Sequence, residues 1–402
     1  MAKRHNILFV TPWYPTSDRP YWGIFVREHA LAVAQHHHVT VLHIVGQADE
    51  LANTYELRQE ADQEITQGLP TYVLHHRRTL PKTDRLVRNW SLWRALTTLI
   101  KEGDPPDLIH AHIHRVALVA MMVGKLYKIP VVVSAQHSAF PLKTLTRFEL
   151  LEAKFALNRA DIVLPVSRAL QRAMEQYGIR NHFEIIPNTV DTDQFALAVV
   201  SNDTTAPGEN THVRGIIKLL CVANMPDSEV KGHPYLFQAL AMLQGEINWH
   251  LDLIGDGPKQ ADYQMMVQEL GLTDRIMFHG YQPKEVIARA MQEADIFVLA
   301  SIWDNMPCVL VEAMATGLPI VATNVGGIPE VVTTDVGLLA EPRDAQSLYM
   351  AIVQMASSLH RYPQERLATI AQQYSMETIG RRIDEIYRRL LSKRTNSEMW
   401  GR

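Results

Sequence analysis

The sequence predicts an α/β protein built from two Rossmann-like halves, each a doubly wound parallel sheet, and three observations carry that expectation. Short apolar runs alternate with amphipathic segments through the first half, the pattern restarts in the second half, and a polar, turn-rich stretch lies between them. Such runs, bounded by turns and separated by helical patterns, are how parallel βα units read, because their strands are buried on both faces. At 402 residues the chain also exceeds one ordinary core and suits two domains of about 150–200 residues each.

The first strand is expected at 7–10, and the apolar runs at 39–45, 108–110, 129–133, 162–166 and 183–186 read as further strands of the same half. Helical spacing of apolar residues marks 26–34, 88–100, 116–126 and 168–177 between them. The stretch 198–214, AVVSNDTTAPGENTHVR, has no apolar period and is rich in turn formers. It is the expected linker between a first domain, 1–197, and a second, 215–375. In the second domain strands are expected at 216–222, 249–254, 276–279, 296–299, 320–322 and 337–339. Helices are expected at 235–243, 260–270, 285–290 and 308–315. Ligands of such sheets bind outside the carboxyl ends of the strands, so two of them are expected to face across a cleft. The last segment, 376–402, opens with an amphipathic helix over about 376–391 that can pack on either half, the first domain included.

Hydrophobic residues make up 47% of the chain and charged residues 20%, the balance of a folded protein and not of a disordered one. A net charge of −4 excludes a polyanion-binding surface at the scale of the whole chain. No nucleic-acid partner is expected, and any phosphate site must rest on local cations and backbone N–H groups. Cys221 and Cys308 are far apart, a spacing that suits neither a disulfide framework nor a zinc site, so a reduced, cytoplasmic compartment is expected. The apolar run after Lys3-Arg4 is too short for a signal peptide, and the stretch near 116–123 is too short to span a bilayer.

The chemistry concentrates in 301–330. The strand at 296–299 leads into Ser301-Ile302-Trp303-Asp304-Asn305-Met306-Pro307 and a helix, and the next strand ends in Thr323-Asn324-Val325-Gly326-Gly327-Ile328-Pro329-Glu330. Two successive strand-to-helix turns place helix N-termini, with their N–H donors and partial positive charge, where a phosphate or a sugar hydroxyl can sit. Asp304 in the loop and Glu312 on the helix can face one ligand, and a carboxylate accepts hydrogen bonds from the vicinal hydroxyls of a ribose or a pyranose.

This segment resembles the E-x7-E region of glycosyltransferase family 4, a retaining family with the two-domain GT-B fold. Other segments resemble that family in the same order. Tyr21-Trp22-Gly23-Ile24-Phe25-Val26 is similar to its N-terminal glycine loop, and Ala160-Asp161-Ile162-Val163 with Val166-Ser167 to its ADxVxxVS strand. Ile186-Pro187-Asn188-Thr189-Val190-Asp191 with Phe195 is similar to the signature at the end of its first domain. Lys231-Gly232-His233 resembles its KG turn, and Leu253-Ile254-Gly255-Asp256-Gly257-Pro258 its IGDGP turn.

The resemblance implies a nucleoside-diphosphate sugar as donor, a glycan or lipid-linked hydroxyl as acceptor, retained anomeric configuration, and neither metal nor cofactor. It implies that Glu312 binds the nucleotide ribose and that Lys231 neutralises the diphosphate leaving group. Asp304, with the backbone of Asn305, Met306 and Pro307, would hold the donor sugar. Gly23 would let the first loop approach the phosphates, Gly255 lies in a turn against the nucleotide, and His137 matches the histidine near the reacting carbon. Two departures stand out. Where the family has an arginine before the lysine, this chain has Ala223-Asn224-Met225 and a longer loop, which leaves open which cation joins Lys231. The first acid, Asp304, is one methylene shorter than the family's glutamate.

Each residue also has a structural reading. Glu312 can stabilise a helix N-terminus, Asp304 can cap a turn, Lys231 can be a solvated lysine, and His137 can bond the backbone at a strand end; the neighbouring motifs favour the ligand roles. His112 reads as support for the site wall or as a contact to the ligand itself. His36-His37-His38 reads as a solvated turn, since consecutive residues do not converge on one ion. Asp191-Thr192-Asp193 spells the D-x-D metal motif of another glycosyltransferase fold, but at a domain end its acids read as turn caps. Gly255-Asp256-Gly257 is no dinucleotide fingerprint, because Gln260 stands at the third glycine, and no Walker loop or Gly-x-Ser-x-Gly elbow is present. Arg77, Arg78, Lys82, Arg85 and Arg88, followed by Trp90 and Trp93, suit peripheral contact with the inner face of an anionic membrane, or a solvated helix with buried tryptophans. Two rival functions stay open: a sugar-nucleotide 2-epimerase of the same architecture, and a non-catalytic nucleotide-sugar-binding homologue.

Overall fold

The computed structural model describes residues 3–17, 19, 22–47, 51–77, 79–198 and 215–399. It divides the chain into two compact units, Met1–Thr189 with Met376–Arg402, and Val190–Ser375. Of the sequence expectations, Tyr21, Arg78 and the linker over 199–214 lie outside the described residues, as does the side chain of Lys82.

The first unit holds a seven-stranded sheet of β1 (Asn6–Thr11), β2 (His38–Gln47), β3 (Tyr55–Gln59), β4 (Thr71–Arg77), β5 (Leu108–His112), β6 (Val131–Ala135) and β7 (Ile162–Pro165). Their order is β3-β4-β2-β1-β5-β6-β7. Every neighbouring pair is parallel except β3 with β4. Strand order therefore reverses between β1 and β5. The helices are α1 (Ile24–Ala34), α2 (Gln63–Thr66), α3 (Pro81–Glu102), α4 (His114–Tyr127), α5 (Arg147–Leu157) and α6 (Arg168–Gln176). The antiparallel β3–β4 pair is a feature that apolar runs alone did not mark, because β3 is half exposed and its side chains are mostly polar. The expected strand at 183–186 is reduced to an isolated bridge between Phe183 and Val163. There the Ile185 carbonyl accepts from the Arg382 guanidinium at 2.6 Å, and Pro187, with no N–H, ends any ladder.

The second unit holds a six-stranded, all-parallel sheet in the order β10-β9-β8-β11-β12-β13. Its strands are β8 (Ile217–Val222), β9 (Trp249–Ile254), β10 (Ile276–Gly280), β11 (Ile296–Leu299), β12 (Ile320–Thr323) and β13 (Gly337–Ala340). The helices are α7 (His233–Met242), α8 (Gln260–Glu269), α9 (Lys284–Glu293), α10 (Cys308–Ala315), α11 (Ile328–Val331), α12 (Ala345–Ser357) and α13 (Gln364–Ala371). Here the strand order reverses between β8 and β11. The unit begins at Val190, eight residues before the expected boundary. Phe195 is fully buried, the Ala196 carbonyl accepts from Gln292 at 2.7 Å, and Gln194 donates to Glu285 at 2.8 Å, so this stretch packs with the second unit.

The last helix, α14 (Met376–Met399), returns to the first unit and packs along α1. Ile379, Ile383, Ile386 and Tyr387, at helical spacing, enter the same core as Phe9, Val26 and Val33. Each buried isoleucine contributes about 2 kcal/mol of transfer free energy. The helices meet closely at Gly380, where a Cβ would fall 2.4 Å from the Ala32 carbonyl oxygen. This crossing corrects the reading of His36-His37-His38 as a solvated turn. His37 is buried, lies on Tyr387 and sits 2.8 Å from the Asp384 carboxylate. No helix among the described residues is long and apolar enough to cross a membrane. Cys221 and Cys308 are both free thiols.

Candidate active site

In the second unit the loops at the carboxyl ends of β8, β9, β11 and β12 interlock. Gly232, at the N-terminus of α7, has φ +69°, and a Cβ there would fall 1.9 Å from the Ala300 carbonyl oxygen. Only glycine combines that backbone conformation with that approach. It draws the turn after β8 against the end of β11, where the Ile302 N–H donates to the Val230 carbonyl at 2.8 Å. Lys231 and Asp304 are thereby adjacent, and the Lys231 ammonium donates to Asp304 Oδ2 at 2.7 Å. Gly326 fixes the other side of the loop: its φ is +55°, a Cβ would fall 1.8 Å from the Asp304 carbonyl oxygen, and the Gly327 N–H donates to that oxygen. Gly255 closes the β9 turn against Ala223, and the Met225 N–H donates to the Asp256 carbonyl at 2.7 Å.

Lys231 follows β8 and Asp304 follows β11, so the pair flanks the point where the strand order of this sheet reverses. Such switch points are where open α/β sheets bind ligands. Helices α7 and α10 both open there without a side-chain cap, leaving their N-terminal dipoles available to an anion. Burial works against the charge of Lys231, but the Asp304 carboxylate outweighs it and holds the lysine pKa above its ordinary value. The lysine stays protonated at neutral pH, with 28% of its side chain exposed.

Glu312 lies on α10 and is nearly buried. Its Oε1 is 3.3 Å from the Lys284 ammonium at the start of α9. The two acids of the motif are thus each matched to a different lysine. Nothing in the sequence marked Lys284, because only the packing of α9 beside α10 brings it to Glu312. The side chains of Asn305 and Met306 are buried, and Pro307 stands at the N-cap position of α10 without a capping bond. This segment therefore offers a ligand its backbone more than its side chains. Asp191 caps a turn as expected, its Oδ1 accepting from the N–H groups of Asp193 and Gln194 at 3.0 and 3.1 Å. Among the described residues no group of three or more His, Cys, Asp or Glu is placed to hold a metal ion.

In the first unit, His137 follows β6. Its Nδ1 accepts the Ala139 N–H at 3.0 Å, which puts the remaining ring proton on Nε2. Burial, then the positive charge of Arg115, pushes its pKa down to about 4, so the ring is neutral at physiological pH. It packs against the rings of Trp13 and His114 at 4.9 and 5.5 Å. Gly23 opens α1 with φ +76°, and a Cβ there would fall 2.4 Å from the Trp13 backbone. Its first requirement is therefore packing within this unit. The loop after β1 also borders a cavity of about 700 Å³ lined in part by Trp13, Trp22, Arg88 and Arg115.

Behind His137 runs a chain of hydrogen bonds whose direction is fixed. The Pro187 carbonyl can only accept, so His29 donates from Nε2 at 3.0 Å, and its Nδ1 accepts from the Gln136 amide at 3.4 Å. The Gln136 carbonyl then accepts from His112 Nδ1 at 3.2 Å. His112 is fully buried and stacked on Phe9, which is the supporting position expected of it. Three residues that sequence motifs did not link hold the strand end from which His137 projects.

Comparison with known proteins finds one family model on each part of the chain. The model described as Glycosyltransferase Family 4 matches residues 23–194, and the model described as Glycosyl transferases group 1 matches residues 217–358. The chain is 28% identical over 252 residues to N-acetyl-alpha-D-glucosaminyl L-malate synthase of Bacillus anthracis, an alignment covering 61% of this chain and 64% of that relative. This chain thus spans under two thirds of that relative's length. It is 24% identical to UDP-Gal:alpha-D-GlcNAc-diphosphoundecaprenol alpha-1,3-galactosyltransferase of Escherichia coli, covering 67% of this chain and 73% of the relative. The fold is that of Anabaena HepE solved with UDP, with a TM-score of 0.72, 22% identity, and 95% and 99% of the two chains covered. With the motifs in order and both halves matched, the chain belongs to glycosyltransferase family 4 and has the GT-B type of fold.

Proposed function

We propose that this chain is a retaining glycosyltransferase that moves a sugar from a nucleoside-diphosphate donor to a hydroxyl of a glycan or a lipid-linked acceptor. The observation that carries the reading is the Lys231–Asp304 pair at the switch point of the second sheet, between two helix N-termini without side-chain caps. Charge grows on the diphosphate as the glycosidic bond to the donor breaks. A protonated lysine and oriented N–H groups stabilise that charge without reorganisation. Asp304 releases Lys231 to the leaving group and accepts hydrogen bonds from the donor sugar. Glu312 accepts from the ribose hydroxyls, and Lys284, 3.3 Å away, is the second cation of the pocket.

In the first unit, His137 offers its Nε2–H to a sugar hydroxyl, Gly23 keeps a side chain out of the phosphates' way, and Gly255 does the same at the nucleotide. No metal is required, so transfer persists in a chelator. Two relatives support the reading by what their names say: HepE was solved with UDP, and the Escherichia coli enzyme acts on a diphosphoundecaprenol-linked sugar. The test is a thermal-shift screen of nucleoside diphosphates and their sugars. A ligand at one hundred times its Kd stabilises the folded state by about 2.7 kcal/mol. Absence of any shift, or a shift left intact by Glu312→Gln, counts against the donor site. Epimer formed from donor alone points instead to an isomerase.

A further inference from the structure

The outward face of α5 is apolar where a helix on a sheet ordinarily turns polar. Its buried side is made by Ala153, Ala156 and Leu157, yet Phe148, Leu151 and Phe155 on the opposite side are 66%, 64% and 44% exposed. Their i, i+3, i+7 spacing puts them in one stripe. Helix α4 packs beside α5 and exposes Met122 and Leu126, one turn apart. Basic residues surround this stripe. From Arg115 to Arg159 the chain has seven basic residues and two acidic ones, although its net charge is −4. Both acids are engaged locally: Glu149 accepts from Thr146 in the capping box of α5, and Glu152 lies 3.5 Å from Arg85. The Arg159 guanidinium rests 3.9 Å over the Phe155 ring, and that of Arg85 lies 5.3 Å over Phe148.

We propose that this face docks on an anionic phospholipid bilayer. Phe148, Leu151 and Phe155 enter the boundary between headgroups and acyl chains, while Arg147, Lys154 and Arg159 meet lipid phosphates, the division of labour of an interfacial amphipathic helix. Charge complementarity selects this occupant over a second copy of the chain. Self-association would bring like-charged rims together around the same stripe, whereas protein interfaces deplete lysine and charge from their centres. Although Arg85 borders it, this face is not the one the sequence pointed to, the basic segment that begins at Arg77. There Arg88 is half-buried over the cavity and Trp90 leans edge-on against Tyr55.

The test is co-sedimentation of the full chain with vesicles of phosphatidylcholine alone or with about one third phosphatidylglycerol. Binding to the anionic vesicles is expected to exceed that to neutral ones by about tenfold and to weaken as salt rises from 0.1 to 0.5 M, because surface charges are screened. Combined Phe148→Ser, Leu151→Ser and Phe155→Ser should abolish binding at an unchanged melting midpoint, since all three are exposed. Combined Arg147→Glu and Arg159→Glu should remove the preference for anionic lipid. Equal binding to both vesicles overturns the proposal, as does retained binding by the serine variant. A concentration-dependent dimer that the serine variant dissolves, without vesicle binding, assigns the face to a second copy instead. Vesicle binding is read without donor or acceptor, so its failure leaves the transfer reaction untouched.

Discussion

Lys231 and Glu312 stand in one unit, each beside an oppositely charged partner, but they are expected to act on different parts of the reaction. Lys231 meets charge that grows only as the bond breaks, so Lys231→Ala should lower kcat and kcat/KM together, by about 10²–10³. The lysine is partly exposed, so its removal should leave the melting midpoint close to the parent's. Transfer within a few-fold of the parent enzyme would refute the role. Glu312 is expected to hold ribose hydroxyls, a contact equal in ground and transition states. Glu312→Gln should therefore raise the donor KM and spare kcat, because uniform binding does not change the chemical step. A fall in kcat at unchanged KM would move Glu312 from the nucleotide to the reacting sugar. The sequence marked both residues through their motifs, yet it left open the cation that joins Lys231. Lys284 was invisible because it precedes Glu312 by a strand and a helix and meets it only through packing.

At the scale of elements, the parallel strands were legible because burial on both faces writes them as continuous apolar runs, as in β7 and β11. The pair β3–β4 was not: β3 is a half-exposed edge strand, and β4, although largely buried between β3 and β2, carries only Val73-Leu74 as an aliphatic run before two histidines. Helix α5 was not marked in the sequence, although Thr146 and Glu149 form a capping box at its start, because its outward face mixes with its inward face in the linear pattern. That α14 packs on one of the halves followed from its amphipathic spacing, whereas which half had to be seen. That contact has a sharp steric test at Gly380. Its backbone needs no special conformation, but a side chain there meets the Ala32 carbonyl. Gly380→Val should cost about 1–3 kcal/mol through overpacking, read as a lower urea midpoint with an unchanged slope. An unchanged midpoint would show that α14 and α1 separate at no cost.

Across the whole molecule, the chain carries 18 histidines, and the fold buries a set of them uncharged. Burial pushes the pKa of His29 and His37 down to about 4, and of His112 and His114 to about 3, while in the second unit His233 is also pushed to about 4. No sequence pattern marks this set, because it depends on which strand ends converge. Its consequence is a stability that depends on pH with a definite sign. Above the ordinary histidine pKa of about 6.5 both folded and unfolded chains leave these rings neutral, and the stability is fully present. As pH falls below that value the unfolded chain takes up protons that the folded chain refuses, so stability is lost on the way down toward pH 4. Each fully linked proton contributes a slope of about 1.4 kcal/mol per pH unit. Carboxylates with depressed pKa, such as Asp384 beside Arg388, act in the same direction but at lower pH. The window from pH 7.5 to 5 therefore isolates the histidines. Melting midpoints should fall steeply through that window, and His114→Phe, which fills the space against Phe140 and His137, should reduce the slope by about one proton's share. A flat profile, or an equal slope in the variant, would mean that these rings accept protons as readily in the folded protein as in the unfolded chain.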